Sequence, residues 1–163
     1  MMDDTIASSE NVARILSPEW IEDGELMFEA FKLRKGETYI SVNRPSVESY
    51  NKDVNDFIDN HPEYIFDGGM CKRALLSVES IRNIDVSLEG IEVKINVEVE
   101  PRNTHYKSHA GIFTRIGDKN IKEGQLLEVT TEEAVSSDTV LLEIRMNLVD
   151  ISTVEEFGRI TNV

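Results

Sequence analysis

The side chains best suited to chemistry lie in one short basic stretch of the chain. Residues 101–122, here called the second basic segment, carry five bases and one acid. Cationic, imidazole and amide groups fall within fourteen residues of it: Arg102, Asn103, His105, Tyr106, Lys107, His109 and Arg115. Such groups bind anions and polar ligands. Imidazole titrates near neutrality, so His105 and His109 are weak candidates for acid–base catalysis.

The spacing of these two histidines argues against a shared metal ion. In an extended segment, His105 and His109 point the same way but stand roughly 13 Å apart. A helix would bring them one turn apart, but Pro101 before them and Gly111 after them disfavour a helix. The sequence therefore predicts no metal site, and it implies no cofactor.

A first basic segment, residues 31–44, holds four bases and one acid. If strands at 38–43 and 109–116 are neighbours, Arg34, Lys35 and Arg44 join the second basic segment in one positive cleft. The predicted ligand-binding residues are Arg44, Arg102, Asn103, Lys107 and Arg115. The alternative interpretation is that these bases pair with surface acids, where each pair contributes only about 0–1 kcal/mol.

Two other groups of side chains favour structural roles. Cys71 stands beside Lys72 and Arg73, which would lower its pKa if the thiol were exposed, but a lone cysteine next to an apolar segment is typically a small buried side chain. Asp53, Asp56 and Asp59 recur every three residues, and we interpret them as a solvated helix face.

The overall charge is strongly acidic but unevenly distributed. The chain of 163 residues has 31 acidic and 17 basic side chains, a net charge of −14. Residues 1–30, 45–100 and 123–163 each carry a net charge of −7, whereas the two basic segments carry +3 and +4. This balance argues against a general binder of nucleic acids or anionic membranes.

The sequence also predicts a compartment. The chain has one cysteine, so it cannot form an intramolecular disulfide. Its acidic start, MMDDTIASSE, is unlike a leader peptide. No apolar run approaches the roughly 18 to 20 residues that span a bilayer. We expect a soluble cytoplasmic protein.

Hydrophobic periodicity predicts an α+β fold in one domain, residues 1–163. The clearest feature is the alternation of apolar and polar residues over 91–100, typical of a strand with one wet face. Strands are also predicted at 38–43 and 109–116, a strand or extended segment at 26–33, helices at 45–60 and 131–150, and a helical turn at 18–22.

Two segments fit both the helical and the strand period. For residues 70–83 we favour a strand that pairs with 91–100. Residues 131–150 also fit both periods, and a capping threonine with first-turn acids favours the helix. The predicted architecture is an antiparallel sheet of four to five strands with two helices packed on one face.

The sequence favours a non-catalytic interaction or accessory module over an enzyme. This module would act through its acidic surface or a sheet edge, within a protein assembly or a homo-oligomer. The alternative is a protein or enzyme that binds a small molecule or a phosphate anion in the basic His/Arg cleft. A third class is a nucleic-acid mimic, which binds the basic surface of a partner protein in place of a nucleic acid. Only the acidic net charge supports this class.

Overall fold

The computed structural model describes residues 6–34, 36–88, 91–99, 106–128 and 134–158. Within these ranges the strands are β1 Asn11–Ile15, β2 Ile21–Glu22, β3 Glu25–Leu26, β4 Tyr39–Asn43, β5 Cys71–Ser77, β6 Val86–Leu88, β7 Ile91–Val99, β8 His109–Ile116, β9 Lys119–Asn120, β10 Leu126–Glu128, β11 Ala134–Ser136 and β12 Thr153–Phe157. The α-helices are α1 Tyr50–Asn60, α2 Val78–Arg82 and α3 Ser137–Ile151. Short 3-10 helices cover Pro18–Trp20, Phe28–Phe31 and Pro62–Tyr64.

The strands build one large antiparallel sheet in the order β12-β5-β1-β4-β8-β7-β6, with β9 paired to β8. The α+β class with a mainly antiparallel sheet is confirmed. The sheet has seven strands along its main path instead of the expected four to five. The strands that were not predicted, such as β6 and β12, are short or irregular in pattern. Their sequences therefore show little alternation of apolar and polar residues.

The two longest helices pack on opposite faces of the sheet, which corrects the expectation of two helices on one face. Val140, Ile144 and Leu148 of α3 belong to the main core with Val12 of β1. Val54 and Ile58 of α1 belong to a second core with Ala13 of β1. Because neighbouring residues of a strand point to opposite faces, Val12 and Ala13 assign the helices to different sides.

The central strands follow the predicted pattern. In β7 the side chains of Val93, Ile95 and Val97 are buried, whereas Glu92 and Lys94 are exposed, as expected for one wet face. β4 pairs with β8 along its length, from Tyr39 opposite Phe113 to Asn43 opposite His109. The two predicted strands at 38–43 and 109–116 are therefore neighbours, the condition on which the predicted basic cleft depended.

The ambiguous segment 70–83 contains both kinds of structure. Cys71–Ser77 is a strand, and Val78–Arg82 is a helix that Ser77 caps by accepting a hydrogen bond from the Ser80 amide. The predicted partner was wrong, because β5 pairs with β1 and β12 instead of β7.

The helix predicted at 131–150 is confirmed, but it begins at Ser137. Its N-cap is Ser136, whose hydroxyl accepts a hydrogen bond from the Asp138 amide at 3.2 Å. The predicted capping threonine, Thr131, lies outside the described residues. The buried residues of the helix include Ser137, Leu141, Ile144 and Leu148.

Two further boundaries differ from the expectation. Residues 26–33 are extended only in part: Leu26 ends β3 and the backbone at Met27 and Lys32 is extended, but Phe28–Phe31 forms a 3-10 helix that buries Ala30 and Phe31. α1 begins at Tyr50 and not at Pro45, because separate turns close from Arg44 to Val47 and from Val47 to Tyr50. The turn at Pro18–Trp20 is confirmed, with Ser17 as its N-cap.

No helix within the described ranges has the length and apolarity needed to cross a membrane.

Cys71 provides a first prediction. Its side chain is fully buried, and burial raises the pKa of the thiol despite the neighbouring Lys72 and Arg73. Since the thiolate is the reactive species, we expect Cys71 to resist a colorimetric thiol reagent at pH 8 in the folded protein and to react within seconds in guanidinium chloride. Equal rates in the two conditions would contradict the burial.

Candidate functional site

The candidate site is a cleft of about 460 Å³ between α1 and the sheet. Its walls come from β1, β4, α1, the start of β8, and the turns around residues 20, 34–37 and 61–64. The lining residues are Arg14, Ile15, Trp20, Arg34, Glu37, Ser41, Asn43, Asp53, Phe57, His61, Glu63, Tyr64, Tyr106 and His109. The volume lies within the range of small-molecule sites. A second recess, beneath α3, holds about 10 Å³, which is room for one water at most.

The cleft exists because two neighbouring strands separate. β1 pairs with β5 over its full length, but it pairs with β4 only at Ala13 opposite Asn43. A continued ladder would place Ile15 opposite Ser41. The side chain of Arg14 occupies the opening instead, with Nη1 donating to the Ser41 carbonyl at 2.8 Å and Nε donating to the Ala30 carbonyl at 2.9 Å.

Arg14 is a cation whose described partners are all neutral. The partners are two backbone carbonyls and the Trp20 ring, whose centroid lies 5.1 Å from the guanidinium carbon. No carboxylate of the described residues lies within ion-pair distance of it. Burial lowers the pKa of the Arg14 guanidinium to about 10; nearby Tyr64 and Glu37 oppose that decrease, and Arg34 adds to it. The group stays charged at neutral pH and lines the cleft.

A second cation, Arg34, lies at the exposed rim. Its Nη2 donates to the Tyr64 hydroxyl at 3.5 Å. The Glu37 carboxylate accepts a hydrogen bond from the Arg34 backbone amide at 2.7 Å, closing the turn that holds both side chains at the cleft. Because Arg34 is exposed, its attraction for an anion is screened more than that of Arg14.

One wall of the cleft is aromatic. Tyr64 is buried and meets Trp20 edge to face at 5.9 Å and Phe57 at 4.9 Å between centroids. His61, an exposed residue, has its ring centroid 4.7 Å from that of Phe57 and its Nδ1 3.3 Å from a carboxylate oxygen of Glu63. Such rings provide a flat surface for an apolar or aromatic group of a ligand.

The opposite wall is polar and contains a buried carboxylate, Asp53, only 4% exposed. Its Oδ2 accepts hydrogen bonds from the Ser49 hydroxyl at 2.9 Å and from the Ser108 amide and hydroxyl at 3.0 and 2.6 Å. Asn43 donates to the Ser108 hydroxyl at 3.0 Å. The prediction that Asp53 lies on a solvated face is therefore wrong, although Asp59 of the same helix is exposed.

The residues predicted from the sequence are found in different places. His109 lines the cleft, and Tyr39 lies 6.1 Å from its ring. Arg44 lies outside the cleft, in a two-bond ion pair with Glu10. Lys107 is exposed and is not among the lining residues.

One further predicted residue, Arg115, is not among the residues that line the cleft. Arg115 lies at the far end of β8, where it binds Glu98 and Asn120 and covers the Phe113 ring. The contact with Glu98 lowers the pKa of that carboxyl. Arg102, Asn103 and His105 lie outside the described residues.

Two of the charged residues that line the cleft, Arg14 and Asp53, were not predicted as site residues from the sequence. Arg14 is the lone base in the acidic block 1–30, and a cation in the middle of the apolar run Val12 to Leu16 is a signal that could have identified it. Asp53 precedes Val54 in an otherwise amphipathic helix. Its position in the sequence pattern does not distinguish it from Asp56, so its burial could not be predicted.

Gly111 positions one side of the site and leads to a second prediction. A Cβ atom at Gly111 would lie 2.6 Å from Cδ2 of Tyr39, whose ring also packs on Phe113 at 5.1 Å. We expect Gly111→Ala to lower the free energy of unfolding by about 1–3 kcal/mol, because the Tyr39 ring must move. Gly158→Ala, which meets nothing within 4 Å, should change it by less than about 0.5 kcal/mol in the same urea titration. Equal effects of the two changes would refute the steric argument.

The cleft thus combines a cation held by backbone carbonyls, an aromatic wall and a buried carboxylate. These are the features of a site that orients a small molecule through a few polar groups and buries its apolar part. Comparison of the chain with protein-family models, with curated proteins and with solved structures finds no match.

Proposed function

We propose that this protein binds a small organic anion in the cleft between α1 and the sheet. The observation that carries the proposal is Arg14, which lines the cleft while its described partners are two carbonyls and a ring. A half-buried cation without a direct ion pair is costly, since Glu37 attracts it only from beyond ion-pair distance, and a ligand carboxylate or phosphate would supply a direct counter-charge.

The proposal develops the basic-cleft hypothesis with different residues. Arg14 and Arg34 take the anchoring role that the sequence analysis gave to Arg44 and Arg115, which are engaged by Glu10 and Glu98. The aromatic wall adds a preference for an anion that carries an apolar or aromatic group. The proposal is one of binding and assigns no reaction.

The interaction module predicted from the acidic surface remains a separate prediction. Edge strand β12 carries two acids, Glu155 and Glu156, but they form ion pairs with Arg73 and Lys72 of β5. These pairs add no specific support for a basic partner at this edge.

The binding proposal predicts the effect of an Arg14→Gln change. Glutamine keeps hydrogen-bond donors but removes the charge, so the affinity for 3-phenylpropanoate should fall by about tenfold or more. The measurement is chemical-shift titration with labelled protein, and 3-phenylpropan-1-ol serves as the neutral probe that should be insensitive to the change.

Arg44→Gln is the matched control, since Arg44 forms its ion pair outside the cleft. It should leave the affinity unchanged, provided that thermal unfolding shows both variants to be folded. Undiminished binding in Arg14→Gln, or an equal loss in Arg44→Gln, would reject Arg14 as the anchor.

A further inference from the structure

Asp53 is a further charged group of the cleft that forms no ion pair with a described residue, and unlike Arg34 and Glu37 it is almost fully buried. All three of its hydrogen bonds fall on Oδ2, and the donors are two serine hydroxyls and one amide, none of them cationic. Oδ1 accepts none within the described part of the chain. Because Asp53 lines the cleft, this oxygen is available to a hydrogen-bond donor that enters it.

Arg14 and Asp53 are positioned by the same strand. Arg14 binds the Ser41 carbonyl, and Asp53 binds Ser108, which accepts from the side chain of Asn43. Ser41 and Asn43 are two residues apart in β4, so these attachment points are separated by roughly 7 Å. A positive and a negative group that are both anchored, directly or through Ser108, at neighbouring positions of this strand therefore line the same cleft.

From this pair of charges we infer that the ligand is an amino-acid-like zwitterion. Its carboxylate would bind Arg14, its ammonium group would donate to Oδ1 of Asp53, and its apolar side group would lie on the Phe57 and Tyr64 rings. An ammonium and a carboxylate on one carbon, each at about 2.9 Å from its protein partner, require the Arg14 guanidinium and the Asp53 carboxylate to lie within about 9 Å of each other. The inference rests on the proposed anion-binding function and specifies the ligand further.

The same geometry disfavours a ligand that is only anionic. A phosphate dianion bound to Arg14 would bring negative charge toward the Asp53 carboxylate, and like charges brought together in a partly desolvated site repel. A zwitterion satisfies both residues and adds no net charge to a protein that already carries −14.

The test compares three probes of matched shape by chemical-shift titration: L-phenylalanine, 3-phenylpropanoate, which lacks the ammonium group, and phenethylamine, which lacks the carboxylate. We expect L-phenylalanine to bind about tenfold more tightly than either of the others. Asp53→Asn should remove the advantage of L-phenylalanine over 3-phenylpropanoate, whereas Asp56→Asn on the same helix should preserve it.

The outcomes separate this inference from the proposed function. If 3-phenylpropanoate binds as tightly as L-phenylalanine and depends on Arg14, the anion site stands and the zwitterion is rejected. If phenethylamine matches L-phenylalanine, general attraction to an acidic protein explains the binding and the inference fails. If neither carboxylate probe binds, both proposals fail. Should Asp53→Asn not fold, the comparison of the three probes on the unaltered protein decides the question alone.

Discussion

Replacement of Phe31 by alanine is expected to lower the free energy of unfolding by about 3–5 kcal/mol. Phe31 is 1% exposed and is among the largest fully buried side chains. With Leu141 and Ile144 of α3 it lines the recess of about 10 Å³ beneath that helix, so truncation would enlarge a void that is already present. Urea denaturation followed by circular dichroism measures the loss.

Phe28→Ala is the matched control, because Phe28 belongs to the same 3-10 helix but is 37% exposed. Its removal should cost less than about 1 kcal/mol. A similar cost for both changes would show that the 3-10 helix, and not burial of one ring, determines the effect. Phe31→Ala should also weaken anion binding, since the carbonyl of the adjacent Ala30 holds the Arg14 guanidinium.

Replacement of Asp53 by alanine is the second change with a large expected effect, about 2–4 kcal/mol of unfolding free energy. Ser108 is fully buried, and loss of Asp53 would leave its amide and hydroxyl without their carboxylate acceptor. The start of β8 would lose its attachment to α1. Thermal and urea unfolding measure the loss, and amide exchange at Ser108 should increase.

Asp56→Ala, one turn further along α1, provides the comparison because it makes the same change in helix propensity at a half-buried position. It should change the unfolding free energy by less than about 1 kcal/mol. Equal losses at the two positions would place the effect in the helix and not in the contact with Ser108.

The regular elements were largely predictable because their signals are local. The alternation over 91–99, the strands at 39–43 and 109–116, and the stripe of Leu141, Ile144 and Leu148 each follow from the period of one element against one core. Irregular elements gave weaker signals. The 3-10 helix Phe28–Phe31 appeared extended, and Pro45 appeared to begin a helix that starts at Tyr50.

The candidate site was predictable only in part. The neighbouring strands β4 and β8 place His109 at the cleft, whereas Arg44 and Arg115 form ion pairs elsewhere. A count of local charge cannot tell which bases are matched by acids that are distant in sequence. Glu10 and Arg44 are separated by 34 positions, and only the folded chain brings them together.

By itself, the sequence determined the α+β class and the principal strands and helices, because these depend on hydrophobic periodicity. It also determined the burial of Cys71, because this cysteine stands next to an apolar segment. Tertiary structure alone decided that β1 and β4 separate after one pair, that Arg14 fills the opening, and that Asp53 faces the cleft from α1. These outcomes depend on packing between segments that are distant in sequence. Whether Arg14 and Asp53 form direct ion pairs can be decided only when the positions of all their described neighbours in the folded chain are known.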